Sequence, residues 1–225
     1  MPKSSLRSLL LNGALLISIS LPGFAQGGTS QKSPQYLETR WAEINYQLPV
    51  SEQEPAFARL ANEAKAALQA KPRSAELLTW RGIILSTWAG VKGGPAALDL
   101  VKQARDVLEQ TISIDPKVLD GLAQANLGCL YYQVPGRPIG FGDKEKAEQL
   151  LKQALALNPN GIDQNFFYGD YLFRRGRYTE SIEALEKALA TPPRPGHEAA
   201  DNGRRKEAKE LLAVVNAEYA ELKTH

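Results

Sequence analysis

Few side chains in this chain have the chemistry of a catalyst. Cys129 is the only cysteine, and the two histidines are His197, in a Pro/Gly segment, and His225, at the terminus. Zinc sites need three or four Cys, His or carboxylate ligands at short spacing, and none can be assembled here, nor can a Ser/His/Asp arrangement. Cys129 follows Gly128 inside a helical apolar pattern, which predicts a buried, unreactive thiol. The run Gly136–Gly142 precedes a helix start, where backbone N–H groups can hold a phosphate. It lacks the Gly-Lys-Ser/Thr ending of a P-loop, however, and Asp143 stands where the anion would sit. It reads as a rigid insertion with Phe141 packed inward, and Gly90–Gly94 as a turn. Glu145, Glu148, Glu180 and Glu183 lie among lysines on helix faces, as solvated ion pairs do. The residues therefore predict no enzyme, no metal and no cofactor, and leave binding as the chemistry to be explained.

The elements that must position a binding surface are marked by prolines. Pro72, Pro116, Pro159 and Pro193 each close a helical segment. Counting back 5, 8 and 12 residues gives Ala67, Ala64 and Leu60; Thr111, Leu108 and Ala104; Ala154, Leu151 and Ala147; Ala188, Leu185 and Ser181. The last proline interval is 34 residues, and the earlier ones are 44 and 43. This ladder resembles the second helix of the tetratricopeptide (TPR) repeat, whose period is about 34 residues. Gly82, Gly128 and Gly169 fall where that repeat needs a small residue between its helices, and Leu127-Gly128 followed by Tyr131 fits its Leu-Gly-x-x-Tyr signature. Two repeats then carry insertions, between Gly82 and Ala104 and at Val134–Gly142. The expected fold is all-α, a TPR-like right-handed helical solenoid of about four helix pairs with a C-terminal capping helix.

Helical periodicity supports this along the chain. Leu37, Trp41 and Ile44 stripe a helix over 36–47, and Ser51 with Glu54 suggests a capping box for the next. Ser74 and Asp143 are N-cap candidates, and 160–193 is the most regular repeat. A final helix over 199–223 carries Ala208, Leu211, Leu212, Val215 and Tyr219 on one stripe. Phe166, Phe167, Tyr168, Tyr171 and Phe173 crowd more than one face of their helix, so that helix needs a further surface beyond its neighbours.

The beginning of the chain indicates compartment. Lys3 and Arg7 precede an apolar run, Ser8–Leu21, of about 14 residues, shorter than the ~20 of a membrane-spanning helix. Small residues precede Gln26, the layout of a cleavable signal peptide over 1–25 cut after Ala25. No cysteine lies there, so a lipobox is absent. Residues 26–33 read as a flexible leader and 34–225 as one helical domain. Cleavage removes Lys3 and Arg7 from 27 basic residues, leaving 25 against 25 acidic ones. A charge near zero gives no electrostatic reason for a nucleic-acid partner, and a single cysteine permits no intramolecular disulfide. An exported, periplasmic location is expected.

In a TPR-like stack the first helix of each pair turns fixed positions into a concave groove. With the glycines aligned, these include Ile83 and Ser86; Leu122, Cys129 and Tyr132; and Phe166, Asp170 and Phe173. The surface is apolar and aromatic, suited to an apolar ligand or the apolar face of a partner helix. Arg174 is its one basic residue, too few for clamping a peptide carboxylate. Tyr131–Asp143, Asn158–Asp163 and Phe167–Gly169 also resemble the TRAP-transporter T-component family and its exported TPR relatives. That resemblance implies an accessory component of solute transport that partners a solute-binding protein, forms a homo-oligomer and holds a hydrophobic cavity. The alternative is a generic periplasmic TPR scaffold for protein–protein interaction.

Overall fold

The computed structural model describes residues 32–224; the signal segment, residues 26–31 of the leader and His225 lie outside it. Every regular element among the described residues is helical. The order is α1 (Pro34–Gln47), α2 (Val50–Ala70), α3 (Ala75–Lys92), α4 (Gly94–Ile114), a short 3₁₀ turn (Val118–Gly121), α5 (Leu122–Gln133), α6 (Lys144–Leu157), α7 (Ile162–Arg174), α8 (Tyr178–Ala190) and α9 (Glu198–Thr224).

Local chemistry sets the boundaries. Ser74 and Asp143 accept from the backbone N–H of Leu77 and Lys146, at 3.4 and 2.9 Å, as N-caps do. Ser51 does not cap: α2 already begins at Val50, after Pro49, whose carbonyl accepts from Glu52 N–H. The last two residues of the leader are engaged. Ser33 caps α1 through Tyr36 N–H, and Lys32 lies 4.0 Å from the Tyr36 ring centre.

The repeat register is visible in three close approaches. A Cβ on Gly82 would lie 2.6 Å from Leu108 Cγ, one on Gly128 2.9 Å from Leu151 Cγ, and one on Gly169 2.8 Å from Leu185 Cγ. Each glycine thus lets the first helix of a pair sit directly on the leucine of the second, and all three leucines are fully buried. Burying each is worth roughly 1.5–3 kcal/mol. The pairs α3–α4, α5–α6 and α7–α8 follow, and this is the TPR-like solenoid. The first pair is looser, because α1 divides its packing among α2, α3 and α9.

The insertions extend this frame in different ways. The first lengthens α3 and α4 to 18 and 21 residues, against 13 each for α7 and α8. The second is the 134–143 loop, held by bonds from Gly140 to Gly136, Gly142 to Pro135 and Asp143 to Tyr131. Phe141 packs edge-on to Tyr131 and beneath the Arg105 guanidinium, as a rigid insertion requires.

The helices form two layers. α1, α3, α5, α7 and α9 are inner and each touches the next; α2, α4, α6 and α8 lie outside. α9 does more than cap the open end. It also packs against α1, closing the inner layer on itself. Gly203 makes the crossing possible, since a Cβ there would overlap the Tyr46 ring. Below it, His197 Nδ1 lies 2.5 Å from Glu38 Oε1, and Gln35 donates to the Gly196 carbonyl.

Candidate functional site

The inner helices run in the same direction and enclose a lumen. Parallel alignment follows from the contacts: Gln35, Glu38 and Tyr46 of α1 meet Gly196, His197 and Glu207 of the α9 segment in ascending order. Likewise Asp120 and Tyr132 meet Gln164 and Asp170 across α5 and α7. All five inner helices contribute to a wide chamber of about 1000 Å³ and a narrower one of about 230 Å³. The wide chamber is lined toward the helix C-termini, from Trp41 to Asn45, Ser86 to Val91 and Phe166 to Arg174. The narrow one lies toward the N-termini, at Glu38, Trp80, Leu122 and Asp163. Trp41, Asn126 and Arg204 line both and form the waist between them.

Both insertions build the wide chamber. The long α3–α4 hairpin supplies Ala89 to Leu98, and the 134–143 loop supplies Val134, Pro135 and Ile139. Ile139 is 68% exposed beside this mouth, unusual for a large aliphatic side chain. The residues that break the repeat period are therefore the ones that give the chamber its depth.

The groove positions divide among three places. Ser86, Cys129, Phe166 and Asp170 line the wide chamber; Ile83 and Leu122 line the narrow one. Tyr132 and Phe173 line neither. Tyr132 turns between helices, donating to Asp170 Oδ2 at 2.7 Å and tilting against Tyr171. Phe173 packs edge-on to Tyr178 in the seam that α9 makes with α7 and α8. The aromatic surplus of α7 is resolved in the same way: Phe166 faces the lumen, Tyr171 faces α5, and Phe173 faces α9.

Charge in the lumen is largely paired. Asp170 accepts from Tyr132 and from Arg174 Nε at 3.0 Å. Arg204, only 8% exposed, donates Nε to Asp163 at 2.8 Å and Nη1 to Glu207, with its guanidinium over Phe166 and Phe167. Burial opposes the charge on Arg204, but Tyr46, Asp163 and Glu207 outweigh it and raise its pKa. Burial pushes the Cys129 thiol up to about 12, so the sulfur in the chamber wall is neutral. Burial also raises Glu38, against the opposing bond from His197. Among the described residues no cluster of His, Cys, Asp and Glu is arranged to hold a metal ion.

The narrow end is rimmed by a turn in which Leu119 and Asp120, at φ 47° and 51°, precede Gly121 at 82°. Left-handed backbone is costly for Leu, and only Gly adopts it readily. Gln164 holds the turn by donating to the Asp120 carbonyl at 2.8 Å.

Sequence reasoning missed the contributions of α1 and α9: Trp41, Asn45, Arg204, Glu207 and Leu211. The available signal was Gly203-Arg204, a glycine inside a long helix pattern beside a charge on its inner side.

Residues 165–194 match the tetratricopeptide repeat. Solved structures similar to it include MamA, at 20% identity over 76% of this chain and 93% of that one, with a TM-score of 0.43. A second MamA structure is similar at 19% identity over 84% and 95%, also with 0.43. TTC0263, a thermophilic TPR protein in Thermus thermophilus, shares 16% identity over 80% and 98%, with 0.41. No curated protein matches the sequence.

Proposed function

We propose that this chain is a non-enzymatic binding protein of the cell envelope whose lumen takes an apolar ligand. The observation carrying this reading is the wide chamber, open at its mouth, bordered by all five inner helices and walled by both insertions. Its volume lies at the upper end of the ~300–1,000 Å³ typical of small-molecule sites. α9 packs against α1 as well as α7 and α8 and so walls the open side of the concave face, which favours a small ligand inside and protein contacts outside.

The role that fits is an accessory component of TRAP-type solute transport, docking onto a solute-binding protein as a homo-oligomer and working in the periplasm after cleavage behind Ala25. Among the described residues no helix is long and apolar enough to cross a membrane. The second reading, a periplasmic scaffold for protein–protein interaction, is favoured by the repeat at 165–194, since TPR stacks commonly present protein-binding surfaces.

Extraction of the protein purified from its own cells tests the ligand. An apolar compound recovered at about one per chain, and in lower yield from Cys129→Trp, is the expected result; matching empty extracts would sink the reading. Light scattering then separates the roles, a closed oligomer supporting the transport component and a monomer the scaffold.

A further inference from the structure

The geometry points to an uncharged ligand that carries a hydroxyl or amide group at the waist and an apolar chain in the wide chamber. This deepens the reading of the lumen as a ligand site and rests on it.

The polar groups at the waist are only partly committed. Arg204 gives Nε to Asp163 and Nη1 to Glu207; among the described residues no hydrogen bond involves Nη2. The residue is more than nine-tenths buried and borders both chambers, so Nη2 is the donor left for an occupant. Nη2 is not sealed off but opens onto the lumen, where an occupant can replace the solvent that otherwise satisfies it. Asn126 offers the complement. Its Nδ2 donates to the Leu122 carbonyl at 2.9 Å, and among the described residues nothing donates to its Oδ1. Asn126 is likewise 8% exposed and borders both chambers. One free donor and one free acceptor at the same constriction suit a group that both accepts and donates, as a hydroxyl or amide does.

Charge decides against the ionised alternatives. The carboxylates nearest the waist already have cationic partners: Asp163 and Glu207 with Arg204, and Asp170 with Arg174. A carboxylate ligand reaching Arg204 would enter beside Asp163 and Glu207, and an ammonium would meet the Arg204 charge. Either would be desolvated without a free counter-charge, which is expensive. Beyond the waist, Cys129, Leu130, Val101 and Phe166 provide an apolar wall for a chain.

The test uses 1,6-diphenylhexatriene, a hydrocarbon fluorophore with no polar atom, as the probe of the lumen. It is displaced at pH 7.5 by 1-decanol, decanamide, decanoate or decylamine. The neutral compounds should compete about tenfold more tightly than either ion, roughly the effect of one or two net hydrogen bonds. Asn126→Ala should weaken decanol severalfold relative to its effect on diphenylhexatriene. Arg204→Lys, which keeps a charge for Asp163 and Glu207, should do the same; its melting curve identifies any loss caused by unfolding. Decanoate or decylamine competing as well as decanol, or Asn126→Ala with unchanged decanol affinity, would overturn the assignment while leaving the apolar site standing. Failure of the protein to bind diphenylhexatriene at all would remove the lumen reading, and this inference with it.

Discussion

The α1–α9 crossing closes the lumen, and Gly203→Ala perturbs it at a single atom. In an exposed helix interior that change would stabilise by about 1 kcal/mol through backbone propensity. Here the new Cβ would overlap Cδ2, Cε2 and Cγ of Tyr46, all well inside the 3.0 Å that a Cβ keeps from other heavy atoms. Cγ is the root of the ring, so the ring cannot swing its far end aside; the whole side chain or the helix must shift. Overpacking of that kind costs about 1–3 kcal/mol. Moving Tyr46 also disturbs its edge-on contact with Trp41, at 5.6 Å between ring centres. Such a contact is worth about 0.5–1.5 kcal/mol. The balance is a net loss of about 0.5–3.5 kcal/mol after the propensity gain. Gly90→Ala is the control: it lies within α3, and a Cβ there would meet nothing within 4 Å. It should be neutral to stabilising by up to about 1 kcal/mol. Urea denaturation followed by Trp fluorescence reads both. Gly203→Ala as stable as Gly90→Ala would refute the packing of α9 on α1.

Three further outcomes follow. Gly82→Ala drives a Cβ into Leu108 and should lose about 1–2 kcal/mol, with Leu108→Ala relieving part of that loss in a double-mutant cycle; strictly additive effects would contradict the repeat register. Glu38 has its pKa raised by burial, so its ionisation costs stability as pH rises from the ordinary carboxylate range through the folded value. Glu38→Gln should therefore raise Tm at pH 8 and lose that advantage near pH 4, and a gain independent of pH would be inconsistent. Cys129, half-buried in the chamber wall with its thiol pushed up to about 12, should react with Ellman's reagent at pH 8 roughly ten- to a hundredfold more slowly in the native protein than in urea, the higher nucleophilicity of its thiolate offsetting part of the lower thiolate fraction; comparable rates would contradict the raised thiol.

Much of the frame was legible because it is local. Leu108, Leu151 and Leu185 are found by counting back from prolines, and the glycines opposite them by the same register. Ser74 and Asp143 announce their helices through cap chemistry. Ser51 misled because Pro49 starts α2 earlier than a serine cap would. Tyr132 and Phe173 have the right register but rotate into seams, Tyr132 toward a buried carboxylate and Phe173 toward α9. Neither partner is near in sequence, so spacing alone cannot reveal them. The closure was hidden for the same reason. It depends on Gly203 meeting Tyr46, 157 positions away, and no periodicity links the two.

The most direct test of the central claim is a titration of the purified protein with 1,6-diphenylhexatriene, alongside Cys129→Trp. A lumen that takes apolar ligands predicts saturable binding at one probe per chain, weakened severalfold when the indole intrudes on the chamber. Non-saturable fluorescence, or binding that Cys129→Trp leaves intact in a folded protein, would contradict it.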